Sequence, residues 1–203
     1  MKRAVIIAGG NVCREDFEQI QPGDFVICAD SGLDHAEAFG IVPDIVLGDF
    51  DSVKTKIGGY RTEQFPAEKD QTDGELCVDY ALTHGFWDIT ILGGFGTRLD
   101  HSMGNLFLLC YILERGGKGR LVCGKNTAIV TRKAITLSKE AKYISLLPLT
   151  PEVTGVETEG LLYPLRKETL KFGQTRGISN EFLKEECKIC FQDGLLLIIL
   201  SDE

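Results

Sequence analysis

Asp49 and Asp51 stand one residue apart where the apolar run of "DIVLGDFDS" (44–52) ends. Two like charges so close repel, and in a dry site one of them would be driven to take up a proton. They need a positive partner or solvent. Asp73, in "EKDQTDGE" (68–75), adds a third carboxylate. Oxygen donors of this kind suit a hard cation such as Mg²⁺, which takes few carboxylates together with phosphate oxygens and water. Lys69 and Arg98 can neutralise phosphates, the arginine in a bidentate way. The glycines of "GGFG" (93–96) offer backbone N–H groups close to a helix start, an arrangement that binds phosphate. The chemistry these residues suit is handling of a metal-bound phosphate compound.

Four short apolar runs have to position them: "RAVIIAGG" (3–10), "DFVICADSG" (24–32), "DIVLGDF" (44–50) and "DITILGG" (88–94). Each ends in Gly, Asp or Ser, and segments of helical character lie between them. This is the rhythm of a parallel sheet covered on both faces. Ligands of such sheets bind beyond the carboxyl ends of the strands. Asp30-Ser31-Gly32, Gly48 to Ser52 and Gly93 to Gly96 should therefore open onto one edge. "TDGELCVDYALTHG" (72–85) reads as a helix with Thr72 as N-cap, Glu75 completing a capping box and Gly85 ending it. Its buried stripe is Leu76, Cys77, Tyr80 and Ala81. "RLDHSMGNLFLLCYILERGG" (98–117) reads as a second helix, with Arg98, Asp100 and His101 at its start and Gly116-Gly117 at its stop. Leu99, Met103, Leu106, Cys110 and Leu113 mark one face of it.

After about residue 125 the composition shifts to short strand candidates separated by turns: "AITLSK", "KYISLLPLT", "VTGVETEG", "LLYPL", "ETLKF" and "CKICFQDGLLLIIL". The expected fold is an α/β N-terminal domain with a mostly parallel sheet, over 1–125, followed by a small all-β, sandwich-like C-terminal domain over 126–203.

Composition narrows the function classes. The 203 residues are 43% hydrophobic and 26% charged, which is ordinary for a globular chain. No apolar run reaches membrane-span length; "LLLIIL" (195–200) is one buried strand. The net charge of −8 argues against nonspecific nucleic-acid binding. Seven dispersed cysteines and no secretory signal imply reduced thiols in a cytoplasm. Cys187 and Cys190 form a lone CxxC without a second ligand pair, in a stretch that reads as a strand. They are expected to be structural thiols rather than a zinc or redox site.

Taken singly, each site residue has an ordinary explanation. An aspartate after a strand is often a turn residue. Asp73 suits the helix dipole. Glycines after a strand permit a tight turn, and Arg98 and Asp100 can form a surface pair. Their coincidence on one edge is what points to a site.

The motifs together resemble thiamine pyrophosphokinase. "ADSGLDHAEAFGIVPDIVLGDFDS" (29–52), "EKDQTDGELCVDYAL" (68–82), "GGFGTRLDHSMGNLFLL" (93–109) and "GISNEF" (177–182) follow in the family's order and span nearly the whole chain. The GDFDS and RxDH elements at this spacing are the specific part. The resemblance implies transfer of the diphosphate of ATP to thiamine, giving thiamine diphosphate and AMP, with Mg²⁺. It implies metal ligands at Asp49, Asp51 and Asp73. It implies catalytic roles for Asp73, Arg98 and Asp100, and ATP or phosphate contacts at Asp30, Ser31, Lys69, Thr72, Gly94, Arg98 and His101. The thiamine contacts would be Ser179 and Asn180. The resemblance also implies a homodimer with active sites at the interface, and roles of 1–125 in catalysis and of 126–203 in thiamine binding and dimerisation. Asp100 and Asp73 both remain open as the acceptor of the thiamine hydroxyl proton. Two other readings compete: a phosphatase using a DxD nucleophile, and a thiamine or nucleotide sensor without catalysis.

Overall fold

The computed structural model describes residues 2–66, 68 and 70–202. The chain divides into two compact units, Met1–Gly124 and Lys125–Glu203.

The first unit carries strands β1 (Arg3–Ile7), β2 (Phe25–Ala29), β3 (Ile45–Gly48), β4 (Thr62–Gln64), β5 (Asp88–Leu92) and β6 (Lys118–Cys123). Its helices are α1 (Arg14–Phe17), α2 (Gly32–Ala38), α3 (Asp73–Thr83) and α4 (Leu99–Glu114). The strands lie in the order β6-β5-β1-β2-β3-β4, and every pairing is parallel. Strands buried on both faces need continuous apolar runs, and β1, β2 and β3 have them, while β5 interrupts its run with the buried Thr90. Val5, Ile7, Val26, Cys28 and Val46 pack with Phe17 of α1 and with Leu33 and Ala36 of α2. Alternate residues such as Ile6, Ile27, Ile45 and Leu47 turn to the opposite face and are equally buried. α3 packs against β1, β2 and β3, and α4 packs against α3 and β6.

Thr72 caps α3 as its sequence predicts, with Oγ1 accepting from the Glu75 N–H at 3.2 Å, but the expected capping box is not closed, because the Glu75 carboxylate accepts from Gln71 Nε2 at 3.1 Å instead. Leu76, Cys77, Tyr80 and Ala81 are buried, and Gly85 leaves the helix in the left-handed region. The stripe read on α4 is only partly its inner face: Leu106 is buried and Cys110 and Leu113 are half-buried. Ser102, Leu106, Leu108, Leu109 and Ile112 are buried, whereas Leu99 is 73% and Met103 41% exposed. α4 is apolar nearly all round, so periodicity alone did not choose a side.

The second unit is all β: β7 (Asn126–Thr131), β8 (Ile135–Ser138), β9 (Tyr143–Pro148), β10 (Glu152–Glu159), β11 (Glu168–Lys171), β12 (Asn180–Glu181), β13 (Glu186–Cys190) and β14 (Leu196–Ser201). Strands β12-β9-β14-β7 form one antiparallel layer and β11-β10-β13-β8 another. Ile144, Leu146, Leu196, Ile198 and Leu200 from the first layer pack with Val153, Val156, Leu170, Cys187 and Ile189 from the second. This is a sandwich core. "LLYPL" is not a strand; only Leu161 makes an isolated bridge, to Phe182. Cys187 and Cys190 lie three apart on β13, so their side chains leave opposite faces, Cys187 into the core and Cys190 half-exposed. Among the described residues no helix is long and apolar enough to cross a membrane.

Candidate active site

The strand order places β1 and β5 side by side, with β2 and β3 running outward from β1 and β6 from β5. The chain direction of assembly reverses there, and a crevice forms at such a switch point. Gly9 and Gly10 follow β1, and Gly93 to Gly96 follow β5. The two loops are tied together: the Gly10 N–H donates to the Gly93 carbonyl at 2.9 Å and the Asn11 N–H to the Phe95 carbonyl at 2.6 Å. A Cβ on Gly10 would lie 2.3 Å from the Phe95 carbonyl oxygen, so only glycine permits this approach.

Side chains from α4 brace the same loop. Asn105 Nδ2 donates to the Gly94 carbonyl at 2.8 Å, and the Gly96 N–H donates to Ser102 Oγ at 3.1 Å. Neither Ser102, directly after the RxDH element, nor Asn105, about one helical turn beyond it, stands out in the sequence as a brace for this loop. Gly94 itself is buried, and the Gly96 N–H is spent within the protein.

Next along the edge are the ends of β2 and β3. Asp30 is 6% exposed, and its N–H donates to the Leu47 carbonyl at 2.8 Å, extending the β2–β3 ladder by one residue. Phe50 adopts a left-handed conformation, φ +64°. In an extended strand, residues two apart stand about 6.6 Å from each other. The bend at Phe50 curls Asp51 back, and its N–H donates to Asp49 Oδ1 at 3.2 Å. A carboxylate oxygen from each of Asp30, Asp49 and Asp51 then falls within 4.8 Å of the others. Two unit charges at such a separation repel by about 3–4 kcal/mol at an effective dielectric of about 20. A cation between them would reverse that sign.

Two anchors hold this loop. Ser52 Oγ donates to Asp30 Oδ2. Asp34, on α2, accepts from the Lys54 N–H at 3.1 Å and the Thr55 N–H at 2.8 Å. Ser31 opens α2 beside Asp30, and a Cβ on Gly9 would collide with its hydroxyl oxygen.

Asp73 is the first residue of α3 and is half-buried; it is not in the three-carboxylate cluster. The start of α3 is fixed by Gln71, whose Nε2 donates to Asp79 Oδ2 at 2.7 Å, and by Tyr111 of α4, whose hydroxyl donates to Asp79 Oδ1 at 2.5 Å. Thr72 is exposed at the N-cap. Lys69 lies outside the described residues. Arg98 and Asp100 form a two-bond pair at the start of α4, with His101 exposed beside it. The Arg98 hydrogen bonds, followed by the His101 backbone N–H, lower the Asp100 carboxyl to about 2.

In the second unit Ser179 and Asn180 line a cavity of about 150 Å³ with Leu146, Tyr163, Leu165 and Ile178. Arg176 is at its rim, paired with Glu168 at 2.9 and 3.0 Å. Ser179 has φ +57°, and its N–H donates to Ser145 Oγ at 3.0 Å. Asn180 is buried. Its Oδ1 accepts from the Tyr163 and Glu181 N–H groups at 3.0 and 2.9 Å, and its Nδ2 donates to the Tyr163 carbonyl at 2.7 Å. Most of its hydrogen-bonding capacity therefore holds the cavity wall.

Known proteins share both units. Residues 18–118 match the family model described as "Thiamin pyrophosphokinase, catalytic domain", and residues 130–196 match "Thiamin pyrophosphokinase, vitamin B1 binding domain". The thiamine pyrophosphokinase of Bacillus subtilis is 31% identical, with both chains covered in full. Thiamin pyrophosphokinase 1 of Caenorhabditis elegans is 26% identical over 73% of this chain and 69% of its own. The crystal structure of the Bacillus subtilis protein superposes with a TM-score of 0.91 at 29% identity, covering 100% of both chains. That of the Enterococcus faecalis family protein gives 0.87 at 26%, again over 100% of both. Full-length identity above 30% and an almost superposable fold have one reading: the chain belongs to the thiamine pyrophosphokinase family.

Proposed function

We propose that this chain transfers the diphosphoryl group of ATP to the hydroxyl of thiamine, with Mg²⁺ held at Asp49 and Asp51. The observation that carries this reading is the three-carboxylate cluster at the ends of β2 and β3, on the same sheet edge as the glycine loops. In a chain of this family, carboxylates so crowded would hold a hard cation, which would neutralise phosphate charge.

The thiamine hydroxyl oxygen forms a bond to the β-phosphorus, the bond from that phosphorus to the α–β bridging oxygen breaks, and AMP leaves. The bound cation supplies charge neutralisation at the phosphates. Arg98 and Lys69 add to it, and Asp100 fixes the Arg98 guanidinium while leaving N–H groups for phosphate oxygens. Asp100 and Asp73 are the two candidate acceptors of the hydroxyl proton, and the Arg98 bonds that lower the Asp100 carboxyl to about 2 weaken Asp100 as a base. Asp73 also belongs to the ligand set that the family resemblance implies for the metal. Ser31, Thr72, Gly94 and His101 border the nucleotide, with Gly94 acting through loop shape. Ser179 meets the thiamine pyrimidine, and Asn180 keeps its cavity open. On this reading the first unit is catalytic and the second binds thiamine.

We also propose a homodimer that receives thiamine at the subunit interface. Leu99, Met103 and Phe107, at 73, 41 and 53% exposure, form an apolar stripe at i, i+4 and i+8 of α4 that a second copy would cover. Seven cysteines without a disulfide support a reducing cytoplasm.

Incubation with ATP, Mg²⁺ and thiamine tests the reaction. AMP and thiamine diphosphate in equal amounts are expected. Phosphate release without thiamine would establish a phosphatase instead, and tight binding without turnover a sensor.

A further inference from the structure

Asp30 differs from the other two carboxylates of the cluster. Asp51 is exposed and Asp49 half-buried, but Asp30 is more than nine-tenths buried. Its two oxygens are also unequal. Oδ2 accepts from Ser52. Oδ1 is shut off from solvent and has no hydrogen-bond partner among the described residues. A buried carboxylate oxygen without a donor is costly, and proteins rarely leave one so.

The side chain has little room to escape. Asp30 is left-handed, φ +46°, and its N–H is locked to Leu47. Gly48 packs so tightly that a Cβ there would stand 3.0 Å from Asp30 Cβ and 3.3 Å from Oδ1. Its placement within 4.8 Å of the Asp49 and Asp51 oxygens is therefore built into the backbone.

Resting on the reading that Asp49 and Asp51 hold the cation, we propose that Asp30 Oδ1 is its third, buried ligand. Ser52 is the positioning residue that occupies Oδ2 and turns Oδ1 toward the ion. A Mg²⁺ ion that arrives on a nucleotide needs only one or two carboxylates. Three, one of them desolvated and lacking a donor, suffice to take a divalent ion before any nucleotide binds. The order of assembly is then cation first, nucleotide second.

Mn²⁺ titrated into the nucleotide-free protein, with the free ion followed by electron paramagnetic resonance, tests this. Wild type should bind one Mn²⁺ per chain. Asp49→Asn and Asp30→Asn should each weaken binding by tenfold or more. Ser52→Ala should weaken it several-fold at unchanged stoichiometry, and Ser52→Thr should restore it. If Asp30→Asn binds as wild type does while Asp49→Asn does not, the proposal fails and the Asp49–Asp51 reading stands. If Asp49→Asn also binds normally, both fail. A wild-type protein that takes up Mn²⁺ only with nucleotide overturns the cation-first order. Should Asp30→Asn not fold, undiminished affinity in Ser52→Ala overturns the proposal.

Discussion

Arg98 and Asp100 are joined by two hydrogen bonds at the start of α4, from Nε at 3.2 Å and from a terminal nitrogen at 2.6 Å, though both side chains are about two-thirds exposed. Arg98, as N-cap, has extended rather than helical backbone and so reaches Asp100 two residues on, and the pair sets the charge state of Asp100. The folded carboxyl is lowered, so its charge survives as the pH falls through the ordinary carboxylate range and is lost only near 2. The ¹³Cγ resonance of Asp100 should titrate with a midpoint of about 2. In Arg98→Ala it should move up toward about 3.9, the ordinary aspartate value. A midpoint already near the ordinary value in wild type would mean the pair does not form in solution.

The Asp49–Asp51 turn predicts a large catalytic loss from small changes. Asp49→Asn and Asp51→Asn should each lower turnover on the order of 100- to 1000-fold, because one charge-stabilising ligand is removed. Circular dichroism should report an intact fold. Near-normal rates in folded variants would remove these residues from the metal site.

Ser179 and Asn180 should separate binding from stability. Asn180→Ala removes the three hydrogen bonds that this buried side chain makes to the Tyr163 N–H and carbonyl and to the Glu181 N–H, each contributing about 0.5–1.5 kcal/mol. Urea denaturation should show a loss of about 2 kcal/mol or more. Ser179→Ala should leave the denaturation midpoint in place and raise the KM for thiamine. Equal stability in the two variants would contradict the bracing role.

The apolar stripe of α4 predicts the oligomeric state. Met103→Glu combined with Phe107→Glu places charges at two exposed positions of the stripe. Sedimentation velocity should find a dimer in wild type and mainly monomer in the variant. A monomeric wild type would refute the stripe as an interface.

Cys187 and Cys190 point to opposite faces of β13, so they cannot share a tetrahedral ion. Purified protein should contain no stoichiometric zinc by elemental analysis. One zinc per chain, lost in Cys187→Ser, would show the strand assignment to be wrong.

What the sequence determined by itself is local. Runs such as "RAVII" and "FVICA" must bury both faces, Thr72 must cap a helix, and Gly85 and Gly116 must end one, because these outcomes depend on neighbours within a turn or a strand. The edge on which Asp30, Asp49 and the glycine loops meet also followed, since parallel strands deliver all their carboxyl ends to one side. The tertiary structure alone decided contacts between residues distant in the chain. Ser52 bonds to Asp30 across 22 residues, and Gly10 closes onto Gly93 and Phe95. No spacing rule encodes such pairs. It also decided which side of α4 is buried. Leu99 and Met103 are as apolar as Leu106 and Leu109, and only the position of β6 and α3 beneath the helix distinguishes the covered face from the open one.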